Sequence, residues 1–260
     1  MNYNTLKIDM LPEGILDITL NRPHKMNALS SQLLDELNNV LMMSKTSPDV
    51  KALLIRGEDK TFSAGADISE ILPLSAQQGT EFSQYGQHVF RLLEQLGKPS
   101  LAAINGYALG GGCELALATT IRIASSEAIL GQPEIKLGIL PAYGGTQRLA
   151  RLIGKGRTLY LCLTGCTISA QIALEWGLIS EIVEPKNLYA RAKEILVNLI
   201  NMPPLAIRSI MQVIDTGYNL SLEEALHLET IHFGLNCATQ DKIEGIKAFQ
   251  EKRTPEFKGE

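Results

Sequence analysis

From Pro99 to Thr119 the chain reads PSLAAINGYALGGGCELALAT. The stretch is about as long as a membrane-crossing helix, and Gly106-xxx-Gly110 mimics a membrane helix-packing motif. Three consecutive glycines, Asn105 and Glu114 argue against that reading. Glycine is a poor helix former, and a glutamate near mid-bilayer is expensive. A strand over Ser100–Ala108, a turn at Gly110-Gly111-Gly112 and a helix opening at about Cys113 account for the pattern.

Outward from this unit, strand and helix signals alternate. Gly14 to Leu20 alternates around Asp17 and Thr19, as a half-buried strand would. Ser30 can cap a helix whose apolar face is Leu33, Leu34, Leu37, Val40 and Leu41. Lys51 to Gly57 holds the run Ala52-Leu53-Leu54-Ile55, a buried strand. A further helix carries Phe82, Tyr85, Val89, Leu92, Leu93 and Leu96, and Thr120 to Ala124 reads as another strand. Such alternation predicts an α/β fold with partly parallel strands. The pattern changes at Met202-Pro203-Pro204, where a proline pair ends the helix Leu188 to Asn201. Only helical patterns follow. Ile207, Ile210, Met211 and Ile214 share a face, Ser221 with Glu224 fits a capping box, and the last helix runs to about Lys252. The expected organisation is an α/β core with the active site over residues 1–200 and a helical region over 201–260.

Bulk properties narrow the function. With 260 residues, 45% hydrophobic and 20% charged, the composition is that of a folded globular protein. A formal net charge of -4 offers nucleic acid little attraction, so no nucleic-acid partner is expected. The start, MNYNTLKIDM, has no basic segment leading into an apolar run, so neither a secretory signal nor an Arg-rich transit peptide is read there. The four cysteines are Cys113, Cys162, Cys166 and Cys237; Cys162 and Cys166, with three residues between them, lie in an apolar helix-like stretch with no histidine nearby. They read as reduced thiols, which points to the cytoplasm, and neither a metal nor a membrane role is expected.

Two glycine-bearing loops could carry chemistry. One is Phe62-Ser63-Ala64-Gly65-Ala66-Asp67-Ile68; the other is Gly110-Gly111-Gly112. Neither has the spacing of a Walker or dinucleotide loop. Each can be a tight turn, or the two can turn backbone N–H groups onto one developing oxyanion. Glu114 and Glu134 both sit among apolar residues. A glutamate so placed is either paired, or has a raised pKa suited to proton transfer.

The run Ile104 to Leu115 resembles the core signature of the crotonase (enoyl-CoA hydratase/isomerase) family. Gly131-Gln-Pro-Glu-Ile135, Gly138 and Gly144-Gly-Thr-Gln-Arg-Leu149 resemble its continuation. Asn21-Arg-Pro with Asn27-Ala-Leu, the loop Phe62 to Ile68 and the closing Glu251-Lys-Arg match further family motifs in order. The resemblance implies a spiral of ββα repeats with a C-terminal helical trimerisation region. It implies an enoyl-CoA hydratase working on an acyl-CoA substrate, with coenzyme A carried by the substrate and no separate cofactor. It puts Ala66 and Gly111 at the two oxyanion donors and Glu114 and Glu134 at the two catalytic glutamates. Ala64, Ala66, Asp67, Ile68, Gly111, Pro141, Ala142, Tyr143 and Lys252 become candidate substrate or CoA contacts. It also implies a homo-oligomer, a trimer or a dimer of trimers. The alternatives are a Δ3,Δ2-enoyl-CoA isomerase or another crotonase-family CoA-thioester enzyme and, behind these, a non-catalytic or RNA-binding homologue. Two departures stand out. Ala142-Tyr143 occupies a position where Gly-Ala is common, and Ser69 replaces a lysine that contacts CoA in some relatives.

Overall fold

The computed structural model describes residues 3–260, which form two compact units parting between Leu196 and Val197. The first unit is built on two sheets. In the larger, Leu6–Met10 (β1) and Ile15–Leu20 (β2) pair antiparallel; Ala52–Gly57 (β3) then lies parallel to β2. The smaller sheet starts with Thr61–Ser63 (β4). Ser100–Ile104 (β5) and Ile121–Ser125 (β7) extend the larger sheet, while Tyr107–Leu109 (β6) and Ile129–Gly131 (β8) extend the smaller. Thr167–Ser169 (β9) closes the small sheet antiparallel to β8, and Glu181–Val183 (β10) closes the large one parallel to β7. Three successive strand pairs therefore place their first member in one sheet and their second in the other. The helix Ser31–Thr46 (α1) leads into the first of these pairs, and Ile68–Ile71 (α2), Ala76–Glu94 (α3) and Gly111–Leu117 (α4) separate them. Gly145–Ile153 (α5), Lys155–Thr164 (α6) and Ala170–Glu175 (α7) come next, and Leu188–Ile200 (α8) runs across the parting of the units.

Local signals largely hold. The Ser30 side chain accepts from the Leu33 amide at 3.2 Å, and Leu33, Leu34, Leu37, Val40 and Leu41 are buried. Two expectations change. Ser100–Ala108 is not one strand: the chain breaks at Asn105-Gly106, where Gly106 takes φ +66, and crosses from the large sheet to the small one. The strand around Asp17 is not half-buried. All six residues of β2 are buried, because both faces of an interior strand are covered. Asp17 is retained there by the Arg56 guanidinium, whose Nε lies 3.0 Å from its carboxylate.

The second unit holds Pro204–Gly217 (α9), Leu222–Cys237 (α10) and Gln240–Glu251 (α11). The Ser221–Glu224 capping box forms as read, and α11 stops at Lys252 in the left-handed conformation (φ 56). No helix among the described residues is long and apolar enough to cross a membrane. The Pro99–Thr119 segment is strand, strand and short helix.

Candidate active site

The first glycine-bearing loop is held by the N-terminal motif. Asn27 donates to the carbonyls of Glu58 and Thr61 at 2.9 and 2.7 Å, and the Ser63 hydroxyl donates to the Asn27 carbonyl at 2.8 Å. Arg22 donates to the Ala28 carbonyl at 2.6 Å and pairs with Asp67 at 2.9 Å. Ala66 forms an isolated parallel bridge to Leu29. Within it, Leu29 N–H donates to Gly65 O and Asp67 N–H donates to Leu29 O, so the Ala66 N–H faces the opposite side. The structure thus employs Asp67 as the α2 cap and the partner of Arg22; the Ser69 hydroxyl foremost, with Arg22, holds its carboxyl below the usual range. Ala64 is half-buried, and Ile68 is exposed at the start of α2.

The second loop meets the first. Gly111 opens α4, so its N–H is one of the helix-start donors without an intrahelical acceptor. A Cβ built on Gly111 would stand 3.2 Å from the Ala66 nitrogen, which puts the two predicted donors side by side. A side chain at Gly110 would be strained at φ +49, and its Cβ would come within 2.7 Å of a Glu134 oxygen, so replacement would push the Glu134 carboxylate aside.

The carboxylates converge on the same turn. Glu114 lies fully buried in α4, and its Oε1 accepts from the backbone N–H groups of Tyr143 (2.8 Å) and Gly145 (2.6 Å). Burial, and then the charge of Glu134, push its carboxyl up to about 8. Glu134 sits in a 3-10 turn, Glu134–Leu137, against Gly110, and burial raises it to about 7. The two titrate as a pair, and between those values the pair holds one proton. Sequence reading missed Gln132, which is buried; its amide nitrogen, turned toward Glu134, donates to both carboxylate oxygens at 3.0 and 3.2 Å. Its place two residues before Glu134 was the available signal.

The loop beyond Glu134 supplies the remaining contacts. Pro141 is buried and Ala142 half-buried. Ala142 does not have positive φ, so alanine is compatible with its backbone. Its carbonyl accepts from Ser83 Oγ (2.6 Å) and Gln87 Nε2 (2.9 Å). Arg148 donates to the Tyr143 carbonyl at 2.6 Å and pairs with Glu94. The Tyr143 ring is fully buried against Phe82 and Phe90, with centroids 5.3 and 5.5 Å away. Its hydroxyl has no hydrogen-bond partner among the described residues. Lys252, exposed after α11, belongs to the second unit. Among the described residues no cluster of His, Cys, Asp or Glu is placed to hold a metal ion, and all four cysteines are free.

Comparison with known proteins fits this arrangement. The family model described as Enoyl-CoA hydratase/isomerase matches residues 11–260. The chain is 43% identical over 246 residues to a crotonyl-CoA hydratase of Syntrophomonas wolfei, covering 94% of this chain and 95% of that protein. It is 44% identical to a short-chain-enoyl-CoA hydratase of Clostridium acetobutylicum, covering 91% of each. The crystal structure of an enoyl-CoA hydratase from Bacillus anthracis superposes with a TM-score of 0.95 at 39% identity, covering 99% of this chain and 100% of that one. The crotonase-type α/β architecture and these matches together show that the chain belongs to the enoyl-CoA hydratase/isomerase family.

Proposed function

We propose that this protein hydrates 2-enoyl-CoA thioesters to 3-hydroxyacyl-CoA. Family membership and relatives above 40% identity over most of the chain support the activity. The observation that carries the mechanism is the buried Glu114, held by two backbone N–H groups and electrostatically coupled to Glu134 beside the paired loops. The N–H groups of Ala66 and Gly111 bind the thioester oxygen as it gains enolate charge. Losing one such donor typically costs about 3 kcal/mol in the barrier. In the reacting state the pair's one proton sits on Glu134, and Glu114, whose Oε1 accepts from the Tyr143 and Gly145 N–H groups, takes a proton from water as the water oxygen bonds to C3. Glu134 gives its proton to C2, on the same face. One proton enters the pair and one leaves, so the pair's proton count is unchanged. Two coupled carboxyls favour hydration over Δ3,Δ2 isomerisation, which needs a single base.

Coenzyme A belongs to the substrate in this scheme, and no separate cofactor is needed. Ala64, Asp67, Ile68, Pro141, Ala142, Tyr143 and Lys252 line the thioester and its acyl and CoA arms. The region 201–260 serves oligomerisation and active-site cover, in a trimer or a dimer of trimers, and the protein works in the cytoplasm. The test is hydration of crotonyl-CoA, followed as loss of the conjugated thioester absorbance, with a structure bound to an acyl-CoA analogue. The Ala66 and Gly111 nitrogens should both lie within roughly 3.2 Å of the thioester oxygen. An oxygen held by a side chain, or no hydration of any 2-enoyl-CoA, overturns the proposal.

A further inference from the structure

Three features set the side chain of Tyr143 beside the Glu114 turn and the Gly111 loop and hold it there. Its own backbone N–H holds Glu114, so its Cα is anchored beside the group that activates water for C3. Its ring leans on the glycine that binds the thioester oxygen: a Cβ on Gly111 would lie 3.1 Å from ring atom Cδ2. The ring is also fixed. It is wedged against Gly86, where any Cβ would overlap it, and packed between Phe82 and Phe90. The backbone on either side is gripped, with Ser83 and Gln87 on the Ala142 carbonyl and Arg148 on the Tyr143 carbonyl. The buried hydroxyl, without a partner among the described residues, gives no stabilising tie that would explain a tyrosine here.

We infer that the Tyr143 ring is the end wall of the acyl site and confines the enzyme to short 2-enoyl chains, an inference that rests on the hydratase reading above. One methylene too many against a closed apolar wall costs roughly 10-fold or more. The experiment compares kcat/KM for four-, eight- and twelve-carbon trans-2-enoyl-CoA esters in the full-length protein, Tyr143→Phe and Tyr143→Ala. The unsubstituted protein should lose at least ~10-fold between four and eight carbons. Tyr143→Phe keeps the ring and should keep that ratio. Tyr143→Ala opens space of the order of the ~150 Å³ that accommodates benzene in an engineered core cavity, and should raise the eight-to-four ratio at least ~10-fold. Should the alanine variant fail to fold, Tyr143→Leu takes its place. Equal rates on four and twelve carbons in the unsubstituted protein overturn the inference. So does an unchanged ratio in the alanine or leucine variant, or a ratio in Tyr143→Phe that matches alanine. Absence of four-carbon hydration in the unsubstituted protein instead overturns the hydratase reading beneath it.

Discussion

The two units use the same kind of sequence to opposite ends. In the α/β unit, apolar residues at helical and strand spacing are hidden: Leu33, Leu37, Leu53, Ile55 and Phe62 have no exposed surface. In the helical unit, α9 and α10 bury none of their residues, although Ile207, Ile210, Met211 and Ile214 of α9 share one face. Ile210 is 58% exposed, Phe233 72% and Phe249 86%. An apolar groove of about 680 Å³ runs between Ile210, Val213, Ile214, Phe233 and Ile246. The first unit buries a core of its own, although Leu72, Leu140 and Leu163 stay exposed on it. The second presents a surface whose burial needs another surface, and a second copy of the chain is the occupant that the family resemblance implies.

That contrast predicts separable lesions. Substitutions in the first unit's carboxylate pair should destroy chemistry and leave assembly alone. Glu114→Gln and Glu134→Gln should each lower kcat for crotonyl-CoA by at least ~100-fold, the scale of lost general acid–base catalysis. The particle mass by light scattering should match that of the unsubstituted protein. A variant that hydrates at near-normal rate removes that carboxylate from the mechanism.

Substitutions in the second unit should do the reverse. The full-length protein should scatter as a multiple of three chains at micromolar concentration. Stable interfaces of this sort bury well over ~1,000 Å². A charge at the centre of such a patch, as in Ile210→Asp with Phe233→Asp, should reduce the mass to smaller species, with Glu114 and its donors still in place. A clean monomer from the unsubstituted chain breaks the comparison outright.

Much of this is legible in the chain, because the signals are local. The Ser30 cap, the α1 face and the Ser221–Glu224 box each depend on residues within a few turns. The family motifs mark both glutamates and both loops, and the structure sets the Ala66 and Gly111 nitrogens side by side. What escapes reading depends on distant partners. Asp17 reads as solvent-facing because Arg56, its counter-ion, lies 39 residues away. Asn105-Gly106 sits inside an apolar run, and only the second sheet reveals it as a crossing. Tyr143 is spaced as a turn residue, while its wall of Phe82, Gly86 and Phe90 comes from a helix more than fifty positions earlier.

The smallest expected effect concerns stability, and it tests whether the buried carboxylate is kept for chemistry. The Glu114 carboxyl titrates near 8 in the folded protein, against an ordinary value of 4.5, because burial disfavours its charge. A carboxyl whose folded pKa is raised favours folding in its protonated form. Its penalty is absent below about 4.5, grows as pH climbs toward 8, and is complete above that. The amide introduced by Glu114→Gln would keep an oxygen for the Tyr143 and Gly145 N–H groups but carry no charge. Glu114→Gln should therefore be more stable than the unsubstituted protein at pH 8 and nearly equal to it at pH 5. Because the pair shares one proton, we expect roughly 1–2 kcal/mol at pH 8, a Tm gain of about 4 °C for a unit of this size. Thermal unfolding of both proteins at the two pH values measures it. A glutamine variant that melts lower at pH 8, or a gain that is the same at pH 5, would show that the two amide donors outweigh burial at this carboxylate.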